Sequence, residues 1–183
     1  TTYSYSWKAD LEYAAFKNKD YFTTGVSLDG TTTREYVDAR GNKIASSVLH
    51  GTDKILTQFE FDDLTQLKNV INPIGLVTNY RYNDLGQVTH ESHPDRGVTH
   101  TAYDPAGNVT SIVTPAGTTT LAYDYNRLIG KSLSDANSAL LYNVAFSYGE
   151  STDAQDVANN AVGRLSTITQ GDVSNPVLQE AYK

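Results

Sequence analysis

The 183-residue chain contains no cysteine. Disulfides, thiolate metal sites and a cysteine nucleophile are thereby excluded, while the redox compartment stays open, since bacterial export and the cytoplasm both suit a cysteine-free chain. Methionine is absent as well, which points to a processed or excised segment whose targeting signal lies outside it. No apolar run approaches the ~18 residues that cross a bilayer, and the polar start Thr1 to Trp7 lacks a signal-peptide core. Positive charge is scarce: 14 Lys plus Arg stand against 21 Asp plus Glu, a net charge of −7. Such a field repels phosphate backbones and anionic lipid, so neither nucleic acid nor membrane insertion is expected. Catalytic signatures are missing too. There is no G-x-S-x-G elbow, no H-E-x-x-H and no D-x-D-x-D-G calcium loop.

What is present is a period. Pro73, Pro94 and Pro115 stand 21 residues apart, and so do Phe61, Tyr82 and Tyr103, and Leu67, Val88 and Val109. A fixed step in the low twenties marks one small supersecondary unit, copied and stacked, that cannot bury its apolar face alone. The clearest copies run Phe59 to Asn79, Tyr80 to His100 and Tyr103 to Ala122. Each holds two turn signals. In the first, Asp62, Asn83 or Asp104 follows the aromatic residue, with Gly86 or Gly107 closing two of the turns. An Asx side chain can accept from amides two residues on, and glycine takes the positive φ the turn needs. In the second, Pro73 leads to Gly75, Pro94 to Gly97 and Pro115 to Gly117, where proline presets φ for the turn's first central residue.

Between the turns lie short stretches rich in β-branched and aromatic residues, such as Val98 to Tyr103 and Val109 to Thr114, which read as strands. Two strands of roughly six or seven residues and two turns of about four fill one period, so each repeat is a β-hairpin. The expected fold is all-β: tandem antiparallel hairpins forming a twisted, curved sheet. Tyr82, Tyr103 and either Tyr123 or Tyr125 are expected to form an aromatic row on every second strand. The whole chain, 1–183, reads as one repeat region. Residues 1–58 are degenerate strands and repeats, with Ile44 in the place of Leu67; 59–147 are clear repeats. Residues 148–162 are an inserted loop, with Glu150 to Asn160 its polar stretch, and 163–183 a further partial repeat in which Gln179 to Lys183 opens another strand. The turn after Asn126 is read as shortened, because no glycine follows it.

The Tyr103-Asp104-Pro105-Ala106-Gly107-Asn108-Val109 segment, Tyr123-Asp124-Tyr125 and Gly163-Arg164-Leu165 resemble the tyrosine-aspartate repeats of the Rhs family. The resemblance extends over roughly Gly30 to Lys183 and is best marked from Phe59 to Leu128. It implies a hairpin strip that spirals into a hollow shell, with neighbouring repeats of the same polypeptide and an enclosed C-terminal toxin or effector domain as partners. It also implies a bacterial, exported protein, secreted or at the cell surface, with no cofactor and no enzymatic activity in this segment. Asp104-Pro105-Ala106-Gly107 is similar to the family's self-cleavage motif, but Asn108 replaces its leucine, and the segment is read as a turn. The alternative reading is a cell-surface adhesin that binds carbohydrate or a protein partner.

Two clusters outside the period are candidate sites. Glu91, His93 and His100 would share one face of a hairpin closed by Pro94 to Gly97, with His90 on the other. They suit a divalent metal or, equally, a polar cross-strand patch. Tyr3, Tyr5 and Trp7 alternate along a first strand, which suits a carbohydrate platform or plain sheet packing. Unprotected strand edges at either end are expected to promote self-association.

Overall fold

The computed structural model describes residues 2–8, 21–28, 30–150, 152–158, 162–172 and 175–181, with 2–8, 21–24, 172 and 175–181 entering as strand backbone. They fall into two compact units, Thr1–Arg96 and Gly97–Lys183. The first holds β1 (Thr2–Lys8), β2 (Tyr21–Leu28), β3 (Thr31–Val37), β4 (Lys43–His50), β5 (Asp53–Phe61), β6 (Leu67–Ile71), β7 (Val77–Tyr82) and β8 (Val88–His93). Each strand is antiparallel to the one before it. The second unit holds β9 (Gly97–Tyr103), β10 (Val109–Thr114), β11 (Gly117–Asp124), β12 (Arg127–Asp135), β13 (Leu140–Tyr148), β14 (Leu165–Asp172) and β15 (Asn175–Ala181), again paired in sequence order and antiparallel.

The expectation of an all-β chain of antiparallel strands paired in sequence order within each unit holds. One exception lies in the stretch read as a loop, where Ala154–Ala158 form a five-residue helix, α1. It is too short for helical periodicity to show in the sequence. The last strand also differs from expectation. It begins at Asn175 and pairs back onto β14, from Asp172↔Asn175 to Thr167↔Ala181, so it completes a hairpin that the sequence reading started only at Gln179. Pro176 opposes Gly171 at a register shift, a place where a strand tolerates a missing amide.

Six connections share one five-residue corner: Asp38–Asn42, Asp62–Gln66, Asn72–Leu76, Asn83–Gln87, Asp104–Asn108 and Asp135–Ala139. In each, the first amide donates to the fifth carbonyl and the fourth amide to the first carbonyl, at 2.9 or 3.0 Å. The fourth residue sits at positive φ every time, from 62° at Thr65 to 91° at Gly107. This is the signature of a three-residue hairpin loop that ends in a left-handed residue. The Pro73 turn therefore belongs to the Asx class, with Asn72 as its first residue, whereas Pro94–Arg96 and Pro115-Ala116 are shorter turns. The expected Pro-Gly corner is thus not one geometry.

A bulge accompanies the aromatic corners. Phe61 opposes Leu67 while Glu60 opposes Asn69, leaving Lys68 extra; Thr89, Thr110 and Ile129 are extra in the same way beside Tyr82, Tyr103 and Tyr123. The Asp38 corner repeats this with Val37 opposite Lys43 and Tyr36 opposite Ala45. Lys43, and not Ile44, therefore takes the place of Leu67, and Ile44 is the bulged residue. It joins Tyr36 and Ala45 in the one cluster of buried apolar residues among the described ones, with Leu56 packed against it. The Tyr36 hydroxyl lies 3.3 Å from the buried Ser47 hydroxyl.

Candidate functional site

Most described side chains are half-buried or exposed, so the strands are held by their ladders and by cross-strand neighbours more than by a deep core. The feature that recurs is the aromatic-Asx corner, and it is built in layers. Phe61, Tyr82 and Tyr103 end β5, β7 and β9, Tyr123 is the last but one residue of β11, and they oppose Leu67, Val88, Val109 and Leu128. Tyr148, at the end of β13, opposes Leu165 in the same manner. Tyr125 has no place in this row: it occupies the two-residue turn at φ 54° and is 88% exposed.

The phenol hydroxyls tie one hairpin to the preceding one. Tyr82 donates to the Leu67 carbonyl at 2.8 Å, and Tyr148 donates to the Leu128 carbonyl at 2.8 Å. Burial pushes the Tyr82 phenol above its usual range, with Tyr80 and Asp62 adding to the shift. Tyr80 is raised likewise by burial and by the Glu91 charge. The guanidinium of Arg127 stacks 5.1 Å from the Tyr148 ring centroid while its NH2 group holds the Asp124 carboxylate at 2.7 Å.

The Asx side chains close the corners from within. Asp62 Oδ1 accepts from the Leu64 and Gln66 amides at 2.9 and 2.8 Å, and Asn83 Oδ1 from Leu85 and Gln87 at 3.1 and 3.0 Å. Asn72 and Asp135 do the same in the corner that contains Pro73 and in the corner between β12 and β13. At Asp104, the Asn108 side-chain amide leads in holding the carboxyl below its usual range, against a smaller burial penalty and with the amides of Asn108, Ala106 and Gly107 adding. At Asp38 burial pushes upward, but bonds from the Asn42 amide, the Asn42 side chain and the Arg40 amide outweigh it.

The glycines divide by environment. Gly75, at φ 85°, faces open space. A Cβ on Gly97 would meet Pro115 Cγ at 2.7 Å, and one on Gly117 would lie 2.0 Å from the Ser134 carbonyl oxygen.

Of the three residues considered for metal, Glu91 forms an ion pair with Arg96 at 2.5 Å. His93 Nδ1 accepts from the Asp95 amide at 3.1 Å and thus caps the Pro94–Arg96 turn. His100 lies in the second unit, on β9 opposite Val113. No group of three or more His, Asp or Glu suited to a metal occurs among the described residues. Tyr3, Tyr5 and Trp7 sit at alternate positions of β1, and their side chains fall outside the described part of the structure. Shallow clefts separate successive corners; one runs between Asp62 and Asn83 and is lined by Leu64, Tyr80 and Tyr82. What this arrangement does chemically is satisfy backbone groups and lock hairpins in register.

The family model described as RHS Repeat matches residues 61–98 and 103–139. No curated protein matches the chain. Among solved structures, the chain is similar to a Photorhabdus luminescens Tc holotoxin pore carrying a mutation in TccC3, at 16% identity and a TM-score of 0.62 over 88% of this chain and 10% of that one. It is similar to the TcdB2–TccC3–Cdc42 and TcdB2–TccC3–TEV structures at 18% identity, with TM-scores of 0.62 and 0.61, over 96% of this chain and 10% of each of those. The likeness is one of fold, and the chain spans about a tenth of the length of these neighbours.

Proposed function

We propose, from the match of residues 61–98 and 103–139 to the RHS Repeat model, that the chain is a non-enzymatic wall segment of an Rhs-type β-shell. The shell encloses or presents a toxin or effector domain, its partners being neighbouring repeats and that cargo. The observation that carries this reading is the recurrence of one corner whose first-position Asx side chain accepts from the corner's own amides. The residues that repeat at every period are ones that hold strands together. The fold shared with Tc toxin structures supports the same role.

Containment is a mechanical task. A wall of stacked hairpins separates cargo from solvent if each hairpin is fixed to the next, as Tyr82 fixes β7 to β6. An exported protein, secreted or held at the cell surface, fits this role, and no described helix is long and apolar enough to cross a membrane. The adhesin alternative gains no specific observation.

Limited proteolysis of the full polypeptide tests the proposal. Cargo enclosed by the wall should resist protease until the shell is opened by denaturant or acid; cargo cut as fast as the same domain expressed alone would remove the basis for containment.

A further inference from the structure

The connection from β13 to β14 is much longer than the other corners, yet it closes like them. The Gly149 amide donates to the Arg164 carbonyl at 2.9 Å, and the Gly163 amide donates to the Gly149 carbonyl at 2.8 Å. The Asp104–Asn108 corner is closed by the same two bonds, at 2.9 and 3.0 Å. Gly163 has φ 75°, in the left-handed region where Gly107 sits at 91°. The flanks agree as well. Tyr148 opposes Leu165 and Ser147 opposes Thr167, leaving Ser166 bulged, just as Tyr103 opposes Val109 and Ala102 opposes Ser111, leaving Thr110 bulged.

Position by position, Gly149, Gly163 and Arg164 stand where Asp104, Gly107 and Asn108 stand. Glu150–Val162 stands where Pro105-Ala106 stand. From this correspondence we infer that the β13–β14 connection is a repeat corner opened between its first and fourth residues, and that Glu150–Val162 is an accessory element carried by the wall but not needed to close it. The insert brings its own hydrogen bonds: Asp156 Oδ2 accepts from the Glu150 amide at 2.9 Å, and the Val157 amide donates to the Asp153 carbonyl at 3.1 Å. Loop-closure entropy rises only with the logarithm of loop length, so a closed corner tolerates a long insert at little cost. The corner row is thus a port at which the wall accepts added elements without a change of strand register.

The test replaces Glu150–Val162 with Pro-Ala in the full chain. The inference expects unchanged β-sheet circular dichroism, a Tm within about 4 °C of the parent, and amides of Gly149 and Gly163 still protected from hydrogen exchange. A larger fall in Tm, or loss of that protection, overturns it. Gly163→Val supplies a second arm. A β-branched residue at this φ is strained, although a Cβ there meets nothing within 4 Å. Gly163→Val should therefore lower Tm equally in the parent and the excised chain, whereas no effect in either would show that this corner does not close the connection.

Discussion

The Tyr82 hydroxyl donates to the Leu67 carbonyl at 2.8 Å, across one Asx corner and two strands. Leu67 opposes Phe61 at the bulge where Lys68 is extra, and a bulge disrupts the local ladder. The phenol of the following hairpin supplies a donor at that point, and Tyr148 does so for Leu128. At Tyr82 and Tyr148 the hydroxyl thus ties the aromatic position to a carbonyl beside the preceding bulge.

Tyr82→Phe should keep the ring and lose the bond, at a cost of about 1 kcal/mol, read as a lower midpoint in urea. Because burial raises the Tyr82 phenol, the fold favours its neutral form. The associated stability is complete below the ordinary phenol range near pH ~10 and is lost as pH rises through the folded value. A urea titration series above pH ~9 should show this slope in the parent and a shallower one in Tyr82→Phe; equal slopes would refute the assignment.

Thr65 and Ser138 occupy, at φ 62° and 66°, the corner position that glycine fills elsewhere. A left-handed L-residue costs roughly 1–2 kcal/mol, and glycine's extra freedom when unfolded takes back about 0.5–1 kcal/mol. Thr65→Gly and Ser138→Gly should each stabilise the chain by up to about 1 kcal/mol, measured by thermal or chemical denaturation. A loss of stability in both would mean that their side chains contribute something the corner geometry does not account for.

Gly117→Ala and Gly75→Ala should differ sharply. Alanine at Gly117 drives a Cβ to 2.0 Å from the Ser134 carbonyl oxygen, while at Gly75 it meets nothing within 4 Å. The first should cost about 3 kcal/mol or more through displaced backbone, the second about 1 kcal/mol from its positive φ alone. Comparable midpoints for the two variants would contradict the close β11–β12 approach.

Asp38 and Asp104 have carboxyls held below the ordinary range, so the fold favours their ionised forms. Their contribution is present above the unfolded value near pH ~4 and disappears as pH falls through the folded values. Stability should decline on acidification below pH ~4, and Asp104→Asn should flatten part of that decline while retaining an Asx acceptor. An unchanged acid limb would count against the corner carboxylate as its source.

Much of this was legible in the sequence because the period places chemically equivalent residues at equal steps. Asp62, Asn83 and Asp104 follow their aromatic residue directly, and their turn chemistry is local. Other corners were hidden for physical reasons. Pro73 drew attention from Asn72, whose side chain makes the bonds, and Ser138 stands where a glycine would have marked the Asp135 corner. The bulge displaced Ile44 by one position, since a register shift cannot be seen in one strand alone. The Tyr82 bond to Leu67 joins the far ends of β6 and β7 across the Asn72 corner, and the closing bonds at Gly149 and Gly163 link residues parted by an insert. Neither leaves a local pattern.

Electron cryomicroscopy of the full polypeptide that carries this segment tests the central claim most directly. The account predicts that β3 to β14 form part of a closed wall, with one face toward a cavity that holds density for a second domain. A segment with both faces open to solvent and no enclosed cavity would contradict it.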